Sequence, residues 1–272
     1  MSPKVVILCG GKGTRLRNEL DILPKPLVKI GDMPILWHIM KSYDFYGFKE
    51  FVLCLGYKGE MIKQYFLTFQ ELSNDFTLDL RSKQEKIIHH RNACLEDWKI
   101  NFINTGMETP TGGRVKEIES LIQEDFFLLT YGDGVSDVNI HRLIEFHREK
   151  GKIGTLTAVH PMTLFGTVEV DQNGIAKTFK EKPMVEGLVN GGFFVFDRRF
   201  FEFLTEDSVL EEEPLRELVR QKELAVFVHG GFWECMDTFK QVETLNRMWD
   251  RKKRPWAAWE QAKPKYATEF LV

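Results

Sequence analysis

The chain has 272 residues, 43% of them hydrophobic and 28% charged, the make-up of an ordinary folded protein whose core can stand without staples. Its 37 basic and 40 acidic residues leave a formal charge of −3 at pH 7. That near balance supplies no general field for gripping nucleic acid, so we expect no nucleic-acid partner. The four cysteines, Cys9, Cys54, Cys94 and Cys235, lie far apart and form no CxxC pair, which argues against a zinc site and a disulfide framework. No apolar stretch approaches the roughly 20 residues that span a bilayer, and the first residues lead directly into a strand pattern. We expect no membrane partner, no signal peptide and a cytoplasmic protein.

In chain order, residues 4–9 form a short continuous apolar run, the mark of a strand buried on both faces. A glycine-rich loop follows. Residues 34–40 then open a helix, with Pro34 near its first turn. Residues 50–55 are the next strand, 60–69 a helix, 100–104 a strand, 114–122 a helix and 126–130 the most apolar strand. Residues 139–149 are helical and 155–160 extended. This alternation predicts an α/β fold with a mostly parallel, Rossmann-like sheet flanked by helices. The texture then changes. Residues 166–170, 175–180 and 192–196 read as short strands joined by turns, which predicts a smaller antiparallel lobe. Helices at 214–221 and 238–251 and a tail at 261–272 complete the chain.

The loop Gly10-Gly11-Lys12-Gly13-Thr14-Arg15 stands directly after the first strand. It lacks the spacing of a Walker loop and the third glycine of a dinucleotide fingerprint. Read plainly, it is a turn needing positive φ. Thr14 and Arg15, however, bring a hydroxyl and a phosphate-matching guanidinium to the same place. Lys25 follows between Pro24 and Pro26, which stiffen the backbone on either side of it.

Residues 8–16 with Pro24-Lys25-Pro26 resemble the signature of the sugar-1-phosphate nucleotidyltransferases. Further matches run to about residue 260, among them residues 31–40, 56–59, 111–114, 130–135, 181–183, 190–194 and 231–238. The combination is most similar to the branch that joins CTP to glucose 1-phosphate. The resemblance implies one domain over 1–260, with a nucleotide-binding part of about 1–160 and a sugar-binding part of about 161–260. It implies in-line attack of a sugar phosphate on the α-phosphorus of CTP, with Mg²⁺ as cofactor and pyrophosphate leaving. It also implies a homo-oligomer, with a hexamer as one form.

The resemblance further assigns roles. Arg15, Lys25 and Asp133 are its catalytic residues. Leu8, Cys9, Gly10, Gly11, Lys12, Gly13, Thr14, Arg15, Lys25, Thr109, Arg114 and Gly132 would meet the nucleotide. Glu181, Lys182, Asn190 and Gly191 would meet the sugar phosphate, and Asp133 and Asp237 the metal. Asp133 also follows a buried strand, where α/β sites collect ligands. Asp237, just before a helical stretch, reads equally as an N-cap. Segments 160–164 and 183–189 depart from the family pattern beside the sugar pocket. A cytidylyltransferase for another phosphorylated acceptor therefore stays open, as does a non-catalytic nucleotide-binding subunit.

Overall fold

Val5-Val6-Ile7-Leu8 carries no polar side chain, so it suits a strand whose two faces are both covered. The computed structural model describes residues 2–11, 23–79, 81, 86–89, 96–161, 166–181 and 187–260, and in it this run lies inside a seven-stranded sheet. The chain gives β1 (Val5–Leu8), β2 (Lys29–Ile30), β3 (Met33–Pro34), α1 (Ile35–Phe45), β4 (Glu50–Leu55), α2 (Gly59–Leu67) and α3 (Phe69–Ser73). β5 (Phe76–Asp79), β6 (Lys86–His89), β7 (Lys99–Asn104), α4 (Thr111–Glu117), β8 (Phe126–Tyr131), β9 (Gly134–Ser136) and α5 (Ile140–Lys150) follow. The remainder is β10 (Gly154–Val159), β11 (Thr167–Val170), β12 (Ala176–Lys180), β13 (Val189–Asp197), α6 (Glu213–Arg220), β14 (Leu224–His229), β15 (Trp233–Cys235) and α7 (Phe239–Asp250).

The sheet runs β14-β10-β13-β8-β1-β4-β7. β1 pairs in parallel with β4 and β8, β4 with β7, and β10 with β14, while β13 runs antiparallel to both of its neighbours. The mostly parallel α/β sheet read from the sequence is therefore present. Successive side chains alternate between two apolar layers. Val5, Ile7, Leu53, Leu128 and Val195 enter one; Val6, Val52, Phe127, Leu129 and Phe196 enter the other, all fully buried.

Three expectations change. Residues 192–196 do not join a separate lobe: they lie in β13, inserted between β10 and β8, because Phe193 to Phe196 supply apolar side chains to both layers. The separate pair β11–β12 is exposed along its length. The helix expected from residue 114 begins at Thr111 and gives way after Glu117 to a 3-10 turn, Glu119–Leu121. Gly112 and Gly113 belong inside it, since a Cβ at either would lie 2.7 or 2.0 Å from the carbonyl oxygens of Ser208 and Glu206. The helix at 60–69 is interrupted at Thr68, giving α2 and α3. The tail at 261–272 lies outside the described residues.

Candidate active site

β4 and β7 lie on one side of β1 and β8 on the other, so the strand order reverses between β1 and β8. In open α/β sheets a crevice opens at the carboxyl ends of the strands at such a point. A cavity of about 380 Å³ occupies this place. Residues 8–11 line it from the end of β1, and Tyr131, Gly132 and Asp133 from the end of β8. Lys25, Pro26, residues 107–111 and Arg114 complete the wall. The Gly132 N–H donates to the Leu8 carbonyl at 3.0 Å, and a Cβ there would come within 3.2 Å of the Pro26 ring. Glycine thus lets both strand ends and the Lys25 turn meet.

Two short strands bring the aspartates together. β9 pairs antiparallel with β15, and the Met236 N–H donates to the Asp133 carbonyl at 2.8 Å. Lys25 opens a 3-10 turn, Lys25–Leu27, and its ammonium donates to Asp133 Oδ2 at 3.3 Å and to Asp237 Oδ1. Burial opposes the Lys25 charge, but the two carboxylates outweigh it and its pKa stands raised. Burial pushes the Asp133 carboxyl up; Lys25 pulls it down, and Asp237 pushes it up again. Asp133 lines the cavity and shares Lys25 with Asp237; two such hard oxygen ligands suit Mg²⁺, which takes few carboxylates and completes its shell with phosphate and water. Among the described residues no larger cluster of His, Cys, Asp or Glu side chains forms a metal site. Asp237 is not the N-cap of α7: that is Thr238, whose hydroxyl accepts from the Gln241 N–H.

Arg114 stands differently from a free phosphate clamp. Its guanidinium is buried and donates to the carbonyls of Leu55, Gly106, Gly10 and Met107 and to Thr105 Oγ1, at 2.8–3.3 Å. It lines the cavity while fastening the ends of β1 and β4 to the 105–107 loop. A Cβ on Gly10 would lie 2.2 Å from its Cζ, so close packing on Arg114 is itself a reason for that glycine. Cys9 and Cys54 are buried thiols, and burial pushes the Cys54 pKa up to about 12, so both behave as small core residues.

On the other side, the Asn190 amide donates to Tyr131 Oη at 3.2 Å, and the Gly191 carbonyl accepts from Trp233 Nε1 at 2.7 Å. Gly192, at φ +78°, lies under the Tyr131 ring. Tyr131 donates to Glu211 Oε1, and Glu211 Oε2 accepts from Thr111 Oγ1 at 2.7 Å. Sequence reasoning missed both Tyr131 and Glu211. Tyr131 had a signal, its place between a buried strand and Asp133; Glu211 belongs to the acidic run 211–213, which reads most simply as a helix start, although the family resemblance places an acidic-proline step near the sugar pocket. Thr109 lines the cavity, whereas Glu181 stands at the exposed end of β12 and does not. Lys12, Gly13, Thr14, Arg15 and Lys182 lie outside the described residues.

Residues 4–243 match the family model described as nucleotidyl transferase. The chain belongs to this family. It is 45% identical over 258 residues to a probable glucose-1-phosphate cytidylyltransferase of Bacillus subtilis (strain 168), covering 94% of this chain and all of the relative. It is 43% identical over 260 residues to the glucose-1-phosphate cytidylyltransferase of Salmonella typhi, with the same coverage. Among solved structures, HddC from Yersinia pseudotuberculosis complexed with GMP-PN has a TM-score of 0.65 at 21% identity, covering 91% of this chain and all of that one. Apo UDP-glucose pyrophosphorylase has a TM-score of 0.67 at 14% identity, covering 93% and 100%. These likenesses confirm the nucleotidyltransferase fold, and the chain is a nucleotidyltransferase enzyme similar to the glucose-1-phosphate cytidylyltransferases.

Proposed function

We propose that the protein transfers the cytidylyl group of CTP to α-D-glucose 1-phosphate, giving CDP-glucose and pyrophosphate. The observation that carries this reading is the meeting of Lys25, Asp133 and Asp237 beside the strand-end cavity, in a chain whose cytidylyltransferase relatives align over their whole length. The glycine-rich segment at residues 10–13, with Thr14 and Arg15, holds the triphosphate, and Arg15 stabilises the departing pyrophosphate. Lys25 lies between the α-phosphate and the sugar phosphate, so it screens two anions that otherwise repel. A phosphate oxygen of the sugar phosphate forms the new bond to the α-phosphorus as the bond to the β-phosphate oxygen breaks. No protein nucleophile is required.

Asp133 and Asp237 would hold Mg²⁺, which supplies charge neutralisation to the phosphates when bound. Residues 107–111 reach the base. The nucleotide part is about 1–160 and the acceptor part about 161–260. Asn190, Gly191, Glu181 and Lys182 serve the acceptor side, with Tyr131 joining Asn190 to the cavity. The protein works in the cytoplasm as a homo-oligomer; its self-association is supported by Val168, Val170, Ile175 and Phe179, exposed at the hairpin β11–β12.

Cytosine carries an amine donor where uracil carries a carbonyl acceptor. A site accepting from that amine buries an unpaired acceptor when UTP enters, at about 1–3 kcal/mol. Steady-state kinetics with glucose 1-phosphate should show CTP preferred over UTP by about tenfold to a hundredfold. Equal use of UTP refutes the cytidylyl assignment. CTP use without glucose 1-phosphate turnover moves the acceptor to another sugar phosphate.

A further inference from the structure

Asp237 lies on a three-residue link, 236–238, between β15 and α7. A link that short leaves its main chain little freedom, so where the Asp237 carboxylate starts from follows from what fixes the link. One side chain reaches both ends. Gln241 Oε1 accepts from the Asp237 N–H at 3.0 Å, from the Thr238 N–H at 2.9 Å and from the Thr238 hydroxyl at 3.0 Å. Its Nε2 donates back to Glu234 Oε1 at 3.0 Å and to Cys235 Sγ at 3.4 Å, both on β15.

A capping box asks less than this. It needs the Thr238 hydroxyl on the Gln241 N–H and the Gln241 side chain on the Thr238 N–H. Glutamate at the same position would do as well for the helix. It would not donate to β15, and it would set a second carboxylate against Glu234. The amide is the group that accepts from the link and donates to the strand at once. Nucleotidyl transfer tolerates little error at the ligands, since misplacement by about 1 Å can cost a hundredfold in rate.

We propose that Gln241 is the positioning residue of Asp237, bracing its loop against β15 so that its carboxylate meets Asp133 at one cation. The inference rests on the reading of Asp133 and Asp237 as cation ligands.

Mn²⁺ alone, titrated into the full chain and followed by the EPR signal of the free ion, tests it without turnover. Asp237→Asn should abolish binding at the site. Gln241→Met should raise the Mn²⁺ dissociation constant about tenfold, in the range typical for lost outer-shell partners. The double variant Glu234→Gln with Gln241→Glu reverses donor and acceptor across the same contact and keeps the formal charge. Gln241→Glu alone keeps the capping box but not the donor to β15 and should also weaken binding about tenfold, whereas the double variant should bring the constant back to within about threefold of the wild type; a merely capping side chain would leave Gln241→Glu at wild-type affinity. Thermal unfolding establishes that each variant is folded. Wild-type affinity in Gln241→Met, with binding lost in Asp237→Asn, overturns the brace and leaves the cation site standing. A folded double variant that fails to recover affinity also overturns the brace. Equal binding by the wild type and Asp237→Asn overturns both.

Discussion

β1 and β8 bury their side chains on both faces, with only Phe126 and Tyr131 half-buried at the ends of β8, whereas every side chain of β11 and all but Thr178 of β12 are exposed. A strand packed between two apolar layers cannot slide, because a one-residue slip would turn its whole set of side chains over. Its last residues inherit that rigidity, and here they are Leu8, Cys9 and Tyr131, leading to Asp133. A two-stranded hairpin is marginal by itself and takes its place from something else. The strand ends that line the cavity are thus anchored in the sheet, while the outer hairpin is held more lightly.

The sharpest test of the anchored side is Lys25→Ala. Removing the ammonium takes away the charge shared by Asp133 and Asp237 and, in the proposed mechanism, the group between the reacting phosphates. Turnover should fall about a hundredfold or more, roughly 3 kcal/mol of transition-state stabilisation. Urea unfolding should stay close to wild type. Near-normal kcat would remove Lys25 from the chemistry.

Arg114→Met probes the same side through its scaffold. It strips one donor set from four main-chain carbonyls and from Thr105. We expect a loss of about 2–3 kcal/mol, seen as a lower urea midpoint at unchanged m-value, together with a raised KM for CTP. Arg114→Lys should recover only part of it, since an ammonium lacks the planar fork. An unchanged midpoint would mean that the guanidinium fastens nothing.

These residues also mark what could be read in advance. The buried strand, Gly10, Gly11 and Asp133 are local patterns, so their place at a strand end was legible. Arg114 was legible as a candidate, and it lines the cavity, but its work on Gly10 and Leu55 was not, because those partners lie 104 and 59 residues away. β9 and β15 have three residues each, too few for a periodic signal, yet their pairing joins Asp133 to Asp237. β13 misled because a run of phenylalanines beside turn-rich hairpins reads like one more of them. Glu211 and Gln241 lie in charged or helical surroundings, where nothing local separates them from surface residues.

Acid should loosen the covered regions first. His38 is fully buried, with Nε2 2.9 Å from the Ile30 carbonyl and Nδ1 facing Trp256 Nε1 at 3.4 Å. His147 is buried against Thr155 Oγ1 at 2.8 Å. Burial lowers both pKa values to about 4, with Arg254 adding to the effect at His38 and Arg148 and Arg199 at His147; Asp197 opposes it there. The unfolded chain binds these protons from about pH 6.5 downward and the folded one only near 4. Their stability contribution is therefore complete above pH 6.5 and is lost as pH falls towards 4. At pH 4.5 the loss should be of the order of 2 kcal/mol per histidine. Denaturant midpoints at pH 7.5, 5.5 and 4.5 measure it. A flat profile would mean that both rings are protonated in the folded state.

The smallest expected effect within one chain bears most directly on the contrast. Phe179 is 67% exposed and pairs across the hairpin with Val168, itself 53% exposed; Val170 and Ile175 are exposed nearby. Little apolar surface of Phe179 is removed from water within the chain, so Phe179→Ser should cost a monomer no more than about 0.5 kcal/mol. If a second copy covers the hairpin, the same substitution does more. It should lower the mass measured by light scattering and make the unfolding midpoint of the wild type, but not of the variant, rise with protein concentration. We expect that second pattern, with kcat close to wild type at concentrations where both assemble. A variant of unchanged mass and unchanged midpoint would show that the hairpin stands in water as it does in the single chain. Its exposed phenylalanine would then be an ordinary surface residue, and the homo-oligomer would have to form through another face.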